Sequence, residues 1–117
     1  MIIVPEGIKI YLGSEPIHMG KSFDGLAALV LDVIEQNPLS GHLFVFRNKR
    51  GDKIKIFRWD RNGFEIWYKR LDKGRFKFPR SNANGFTMSV DDLKLLLDGI
   101  NLDKIKRFPT LQYEAVL

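Results

Sequence analysis

The feature that most constrains the fold is a succession of three strand-like runs joined by two very short connections. The runs cover residues 42–48, 53–60 and 64–70 and are rich in β-branched and aromatic residues. The joints at residues 48–52 and 60–63 each contain a glycine, which is typical of hairpin loops. Connections this short allow only antiparallel neighbours. The sequence therefore predicts an antiparallel β-meander at the centre of the chain.

Shorter segments extend this β pattern on both sides. Residues 8–12 alternate between apolar and polar side chains and predict a short strand. A further glycine-containing joint at 71–74 leads into strand-like residues 75–78, which stop at a proline. Residues 80–85 have the composition of a loop, and residues 86–88 predict one more short strand.

A first amphipathic helix is predicted over residues 23–36. Ser22 is placed as its N-cap, and Asp24 adds negative charge to the first turn. Asn37 and Pro38 end it, because a residue before proline is disfavoured in the α conformation. The apolar positions that recur at helical spacing are Leu26, Leu29, Val30, Val33 and Ile34.

A second amphipathic helix follows residue 89. Ser89 and Asp92 resemble a capping box, with Asp in place of Glu, and Gly99 closes the helix. Beyond it, residues 102–108 predict a short helical turn before Pro109. The apolar positions of this helix are Val90, Leu93, Leu96, Leu97 and Ile100.

These elements predict a single α+β domain spanning residues 1–117, in which an antiparallel meander of about four to five strands packs against two amphipathic helices. The simplest arrangement has one face of the meander buried under the helices and one face outward. The expected buried residues are Ile54, Ile56, Phe64 and Ile66, and the expected outward residues are Lys53, Lys55, Trp59, Trp67 and Lys69.

The positive charge is concentrated in this meander. The chain carries a net charge of +5. Residues 47–80 hold thirteen Lys and Arg against four Asp and Glu, a balance of +9, whereas the other residues hold six basic and ten acidic side chains, a balance of −4. A block of this density favours a polyanionic partner over a merely solvated surface.

The basic and indole side chains of the meander are the candidate nucleic-acid-binding residues. Cations can hold phosphates, and exposed rings can stack on bases. Each tryptophan taken alone is more often a packing residue. The candidates are Arg47, Lys49, Arg50, Lys53, Lys55, Arg58, Trp59, Arg61, Trp67, Lys69, Arg70, Lys73, Arg75 and Lys77.

Composition argues against several other classes. The chain contains no cysteine, which excludes disulfides and thiolate metal sites. No apolar run approaches a membrane span, and the first residues do not have the pattern of a signal peptide. We therefore expect a soluble, cytoplasmic protein without a membrane partner.

No catalytic constellation is visible, and we predict neither an enzyme nor a metal site or cofactor. His18 and His42 lack metal-ligand spacing. Asp24, Asp52 and Asp60 could be proposed as nuclease carboxylates, but first-turn or turn roles explain them better.

Long ungapped stretches of this sequence resemble the TnpB-type accessory protein encoded in the second reading frame of IS66-class bacterial insertion sequences. The resemblance runs from about residue 8 to about residue 100. The segments that carry it are LFVFRNKRGDKIK at 43–55, Trp59 and Asp60 with Gly63, YKRLDKGRF at 68–76, KSFDGLAALV at 21–30, and Ser40 with Gly41.

The resemblance implies a protein that is required for DNA transposition and does not itself cleave DNA, acting beside a separate element-encoded transposase. One departure concerns residues 18–22, where the family has Asp-Met-Arg-Lys-Gly and this chain has HMGKS. No function is therefore carried over to His18 or Gly20.

Two functional hypotheses remain open after this comparison. The protein binds DNA through the basic aromatic meander, or it docks onto the transposase or another element-encoded accessory protein without touching DNA. The excess of aromatic residues, with nine Phe, three Tyr and two Trp, motivates the second.

Overall fold

The computed structural model describes residues 4–79 and 86–104, and its framework is one five-stranded sheet. The order across the sheet is β4-β3-β2-β1-β5. Strands β2, β3 and β4 pair antiparallel, which confirms the predicted central meander. The strands are β1 (Ile10–Leu12), β2 (Leu43–Arg47), β3 (Lys53–Asp60), β4 (Gly63–Arg70) and β5 (Phe86–Met88).

The prediction of a purely antiparallel sheet is wrong, because β1 lies parallel to β2. Strand β5 closes the other side of β1 and runs antiparallel to it. Parallel neighbours need a long crossover, and residues 13–42 supply one that contains a helix. The short loops in the sequence determined only the antiparallel pairing within the meander. The whole sheet is mixed, and the fold is α+β.

The predicted meander strand at residues 75–78 is also wrong. This segment follows β4 but joins no ladder of the sheet. Its backbone is instead fixed to the turn between β2 and β3, where the amide of Phe76 donates to the carbonyl of Gly51 at 2.7 Å. Phe76 is 3% exposed and inserts into the core. The apolar residues that gave this segment a strand-like pattern therefore pack against the core from a loop.

The first helix begins after Ser22 as predicted, although the Ser22 hydroxyl makes no capping hydrogen bond. An α-helical part, α1 (Phe23–Leu29), continues as one π-helical turn, Val30–Ile34. The turn ends at Glu35, whose φ of 60° is left-handed. Leu26, Val30 and Ile34 are buried, whereas Val33 is 39% exposed and was expected in the core. The buried row follows a spacing of four residues.

The second helix, α2 (Val90–Leu97), has the predicted cap. The Ser89 hydroxyl accepts a hydrogen bond from the amide of Asp92 at 3.1 Å. Leu93, Leu96 and Leu97 are buried, and Ile100 is 40% exposed. A short 3₁₀ turn follows at Leu102–Lys104. The rest of the predicted tail turn and the predicted loop at 80–85 lie outside the described residues.

The two helices cover opposite faces of the sheet, so the expectation of one buried and one outward face is wrong. The α2 face contributes a buried cluster that includes Ile10, Leu12, Leu43, Val45, Ile54 and Ile56. The α1 face contributes Tyr11, Phe44, Phe46 and Phe57. Since successive strand residues alternate between these clusters, both faces of the central strands are core. Among residues 4–79 and 86–104, no helix has the length and apolar character needed to cross a bilayer.

Candidate nucleic-acid interface

The pairing register of β3 and β4 divides the predicted binding surface between two faces. Lys53 lies opposite Arg70 and Lys55 opposite Tyr68, on the α1 face. Ile56 lies opposite Trp67 on the α2 face. A two-residue hairpin loop fixes this register, so odd-numbered residues of β3 share a face with even-numbered residues of β4. The expectation that Lys53, Lys55, Trp59, Trp67 and Lys69 form one outer surface is therefore wrong.

Both tryptophans take part in packing. Trp59 meets Phe64 edge-on, with ring centroids 5.0 Å apart, near the hairpin loop. Trp67 packs against the cluster under α2. Each indole is only half-buried, but the two lie on opposite faces and do not form a shared aromatic platform.

Lys55 is a structural cation. It is 7% exposed, and its Nζ donates to the carbonyl oxygens of Met19 and Lys21, each at 2.8 Å. The same Nζ lies 4.8 Å from the centroid of the Tyr68 ring. Lys55 thus ties the segment that precedes α1 to the face of the sheet. This is the segment in which the chain departs from the resembling family.

Two further basic candidates are engaged within the fold. On the α2 face, Lys69 Nζ donates to the carbonyl of Leu97 at 3.1 Å, where a cation suits the end of a helix. The Arg47 guanidinium donates to the carbonyl of Ser14 at 3.4 Å and lies 5.4 Å from the centroid of the Phe78 ring.

At the β3–β4 hairpin, cations are matched by carboxylates. Arg58 contacts Asp60 and Glu65, each at 3.4 Å, and Arg61 approaches Asp60 at 4.0 Å. We call Arg58, Asp60, Arg61 and Glu65 the hairpin cluster. Its formal charges cancel, although Arg61 itself is 88% exposed.

The opposite end of the same two strands carries cations without such partners. Lys49 and Arg50 are exposed in the β2–β3 turn, and Lys53 and Arg70 face each other across the first pair of the ladder. None of these four forms an ion pair with any residue that the structure describes. Together with two exposed residues of the next loop, they make up the turn cluster, which consists of Lys49, Arg50, Lys53, Arg70, Lys73 and Arg75.

Backbone contacts hold the loop that carries Lys73 and Arg75 against the turn. The amide of Leu71 donates to the carbonyl of Asp52 at 2.8 Å, beside the bond from Phe76 to Gly51. Gly51 has a φ of 82° and faces the Arg75 side chain. Lys77 is exposed further along the same segment.

Asn48 organises the turn, and the sequence analysis missed its role. Its Oδ1 accepts from the amides of Gly51 at 2.9 Å and Lys53 at 3.0 Å. Its Nδ2 donates to Asp52 Oδ1 at 2.7 Å. This hydrogen bond is the main reason why the pKa of Asp52 lies below its usual value. The positive charges of Arg50 and Lys53 lower it further, by less. The signal available beforehand was an Asn at the start of a glycine-containing turn.

Two surface grooves meet at Lys53. The larger, of about 510 Å³, lies between the β2–β3 turn and residues 16–19. The smaller, of about 380 Å³, is lined by Lys53, Tyr68 and Arg70. Tyr68 is 49% exposed, and it supplies the aromatic surface that was expected from the tryptophans. The turn cluster therefore borders a concave surface.

The groups that a catalytic hypothesis would use have local roles. Asp60 belongs to the hairpin cluster, and Asp24 lies in the first turn of α1. His18 Nδ1 accepts from the amide of Gly20, and His42 Nδ1 accepts from the amide of Lys9. Within residues 4–79 and 86–104, no three His, Asp or Glu residues are grouped so that they could hold a metal ion.

Comparison with known proteins identifies a family and two similar proteins. The sequence model of the IS66 Orf2-like protein family matches residues 8–107. An uncharacterized protein of Sinorhizobium fredii, y4jC, is 33% identical over 109 residues, which is 93% of each chain. A second, y4hO, is 35% identical over 101 residues, 85% of this chain and 88% of its own. No solved structure matches. The chain belongs to the IS66 Orf2-like family of insertion-sequence accessory proteins.

Proposed function

We propose that this accessory protein acts in DNA transposition as a non-catalytic DNA-binding protein, whose turn cluster contacts the phosphate backbone. One observation carries the proposal: Lys53 and Arg70 lie directly opposite each other on one face, bordering a groove, without an ion pair to any described residue. Like charges placed opposite each other across a ladder destabilise a sheet. A bound polyanion would relieve that repulsion.

The surroundings of this pair favour an extended anion over a single small one. Lys49 and Arg50 border the adjoining groove, so cations line both sides of Lys53. A nucleic-acid backbone presents phosphates in series, and neutralising them releases condensed counterions. The half-exposed Tyr68 ring offers a contact for a sugar or base beside these cations.

Salt dependence gives the direct test. The protein is titrated against a duplex from the end of the insertion sequence at several salt concentrations, and log K should fall by about 0.9 per phosphate contacted for each unit of log salt. Lys53→Gln/Arg70→Gln removes two contacts. At about 0.15 M salt it should weaken binding about 30-fold and reduce the slope by about 1.8.

A matched control separates the turn cluster from net charge. Arg61→Gln/Lys94→Gln removes the same two charges from exposed positions outside the turn cluster, and it should leave affinity within about twofold of wild type. A flat salt slope for the wild-type protein would contradict DNA binding. Equal losses in the two double variants would contradict the assignment to the turn cluster.

Exposed apolar residues around the first helix favour a second candidate function, which is docking onto the element-encoded transposase. Phe23 is 47% exposed, Leu31 59% and Leu39 53%, so the segment around α1 offers apolar surface to a protein partner. Co-purification with the transposase should survive nuclease treatment and be lost in Phe23→Ser/Leu31→Ser. Retention of the complex by that folded variant would count against this surface.

A further inference from the structure

The two edges of the sheet differ in length and in how they are protected. The outer strand β5 has three residues, whereas the outer strand β4 has eight and contains no proline. In the part of the chain that the structure describes, β4 pairs with β3 alone. A long edge strand presents a row of unpaired N–H and C=O groups, which proteins usually shorten, interrupt or cover.

One hydrogen bond shows which residues of β4 present those groups. The amide of Leu71 donates to the carbonyl of Asp52, so this pair is a hydrogen-bonded pair of the antiparallel ladder. Bonded and non-bonded pairs alternate, which means that residues 69, 67, 65 and 63 bond to β3. Residues 64, 66, 68 and 70 therefore direct their backbone groups towards the edge that no other described strand pairs with.

We propose that two copies of this chain pair through β4, antiparallel about a two-fold axis at Trp67, to form one continuous ten-stranded sheet. A two-fold axis perpendicular to the sheet leaves the α1 faces of both copies on one side and the α2 faces on the other. Residues can therefore pair only with residues of the same face, which means even-numbered with even-numbered ones. Registers centred on Ile66 or Trp67 give the longest overlap, because each leaves only one residue of β4 unpaired.

Charge distinguishes these two registers. With Trp67 on the axis, Glu65 of each copy lies opposite Lys69 of the partner subunit, which gives two opposite-charge pairs at non-bonded positions where side chains lie closest. With Ile66 on the axis, Glu65 would face Trp67 and the charge pairs would be lost. The Glu65 side chain is 57% exposed and free to accept a second cation beside Arg58.

The outward backbone groups fit the same register. Residue 66 pairs with 68 and residue 64 with 70, and all of these residues present their hydrogen-bonding groups to the edge. The half-buried Trp67 indoles meet at the axis on the α2 face, where contact with each other would cover their remaining surface. This dimer does not depend on DNA binding, and its failure would leave the proposed function standing.

Charge reversal tests the register through heterodimer rescue. Sedimentation equilibrium of the wild-type protein should show a dimer, and Glu65→Lys or Lys69→Glu alone should weaken it about tenfold or more, because each opposes like charges twice. An equimolar mixture of the two variants restores both opposite-charge pairs and should associate like wild type. A monomeric wild type, or two folded variants that fail to associate when mixed, would overturn the proposal.

A cysteine cross-link gives a second measurement that does not need Lys69→Glu to fold. The natural chain has no cysteine. Trp67→Cys places two sulfurs at the axis, where Cα atoms about 4.5 Å apart suit a disulfide. Glu65→Cys places them about 13 Å apart along the strands. Rapid oxidation of the first variant and not the second supports the register, and equal rates overturn it.

Discussion

The two ends of the β3–β4 ribbon both carry cations but differ in how those cations are paired. At the hairpin, Arg58 and Arg61 are matched by Asp60 and Glu65 in ion pairs of 3.4 to 4.0 Å. At the turn, Lys53 and Arg70 face each other without a carboxylate within ion-pair distance among the described residues. A count of basic residues therefore overstates the charge that is available to a partner, and pairing decides where it is available.

The turn also contains an acidic residue, but Asp52 is held by a different partner. Its carboxylate accepts from Asn48 Nδ2, and this hydrogen bond fixes the turn that carries Lys49 and Arg50. Because the bond lowers the pKa of Asp52 from its ordinary value, its contribution to stability is present above that ordinary value and is lost as pH falls through the folded-state pKa. Asp52 shapes the basic turn without neutralising Lys53 or Arg70 in an ion pair.

The largest effect should come from making the turn end resemble the hairpin end. Lys53→Glu places a carboxylate opposite Arg70, as Glu65 lies opposite Arg58. Stability should rise by about 0.2–1 kcal/mol because a like-charge pair becomes an opposite-charge pair. DNA affinity at about 0.15 M salt should fall at least about 30-fold, because one cation is removed and another is paired. Thermal unfolding and fluorescence anisotropy measure the two quantities.

The control for this variant is Arg61→Glu, which changes net charge by the same amount at the other end. It should leave DNA affinity almost unchanged, because β3 separates the ends by about 23 Å and the screening length is about 8–10 Å. A loss of affinity in Arg61→Glu as large as in Lys53→Glu would remove the distinction between the two ends.

Sequence reasoning recovered the local elements better than their arrangement. The β3–β4 hairpin, the Ser89 cap and the basic block were all predictable, because each depends on residues close together in the chain. The assignment of side chains to the two faces of the sheet was not predictable. It depends on the register that pairs Ile56 with Trp67, and the alternation of apolar and polar residues does not determine that register. The parallel pairing of β1 with β2 was not predictable either, because it depends on the path of the crossover between these two strands. The burial of Lys55 depended on two carbonyls more than thirty positions away.

The second largest effect should come from replacing Lys55. This variant tests whether the ammonium group positions the groove or contacts DNA. Lys55→Met leaves the carbonyls of Met19 and Lys21 without their donor and should cost about 1–3 kcal/mol of unfolding free energy, measured with denaturant. Under conditions where the variant is folded, the salt slope of DNA binding should stay unchanged. A slope reduced by about 0.9 would instead place Lys55 against a phosphate.

Lys69→Met is the matched comparison on the opposite face. Lys69 donates to a single carbonyl, that of Leu97, and is only half-buried. Its loss should cost about 0.5–1.5 kcal/mol, less than the loss of Lys55. A larger cost for Lys69→Met would show that the α2 face depends more on its lysine ammonium group than the α1 face does on that of Lys55.

The smallest effect should follow from removing the carboxylate that neutralises the hairpin. Asp60→Asn releases its contacts to Arg58 and Arg61 and leaves Arg58 paired with Glu65. Stability should fall by no more than about 1 kcal/mol, as for other partly exposed ion pairs. If DNA contacts only the turn end, the newly unpaired charge lies beyond the screening length and affinity should change less than about twofold. A gain of about fivefold, with a salt slope steeper by about 0.9, would mean that DNA extends along the whole ribbon and that ion pairing alone keeps the hairpin cluster from binding it.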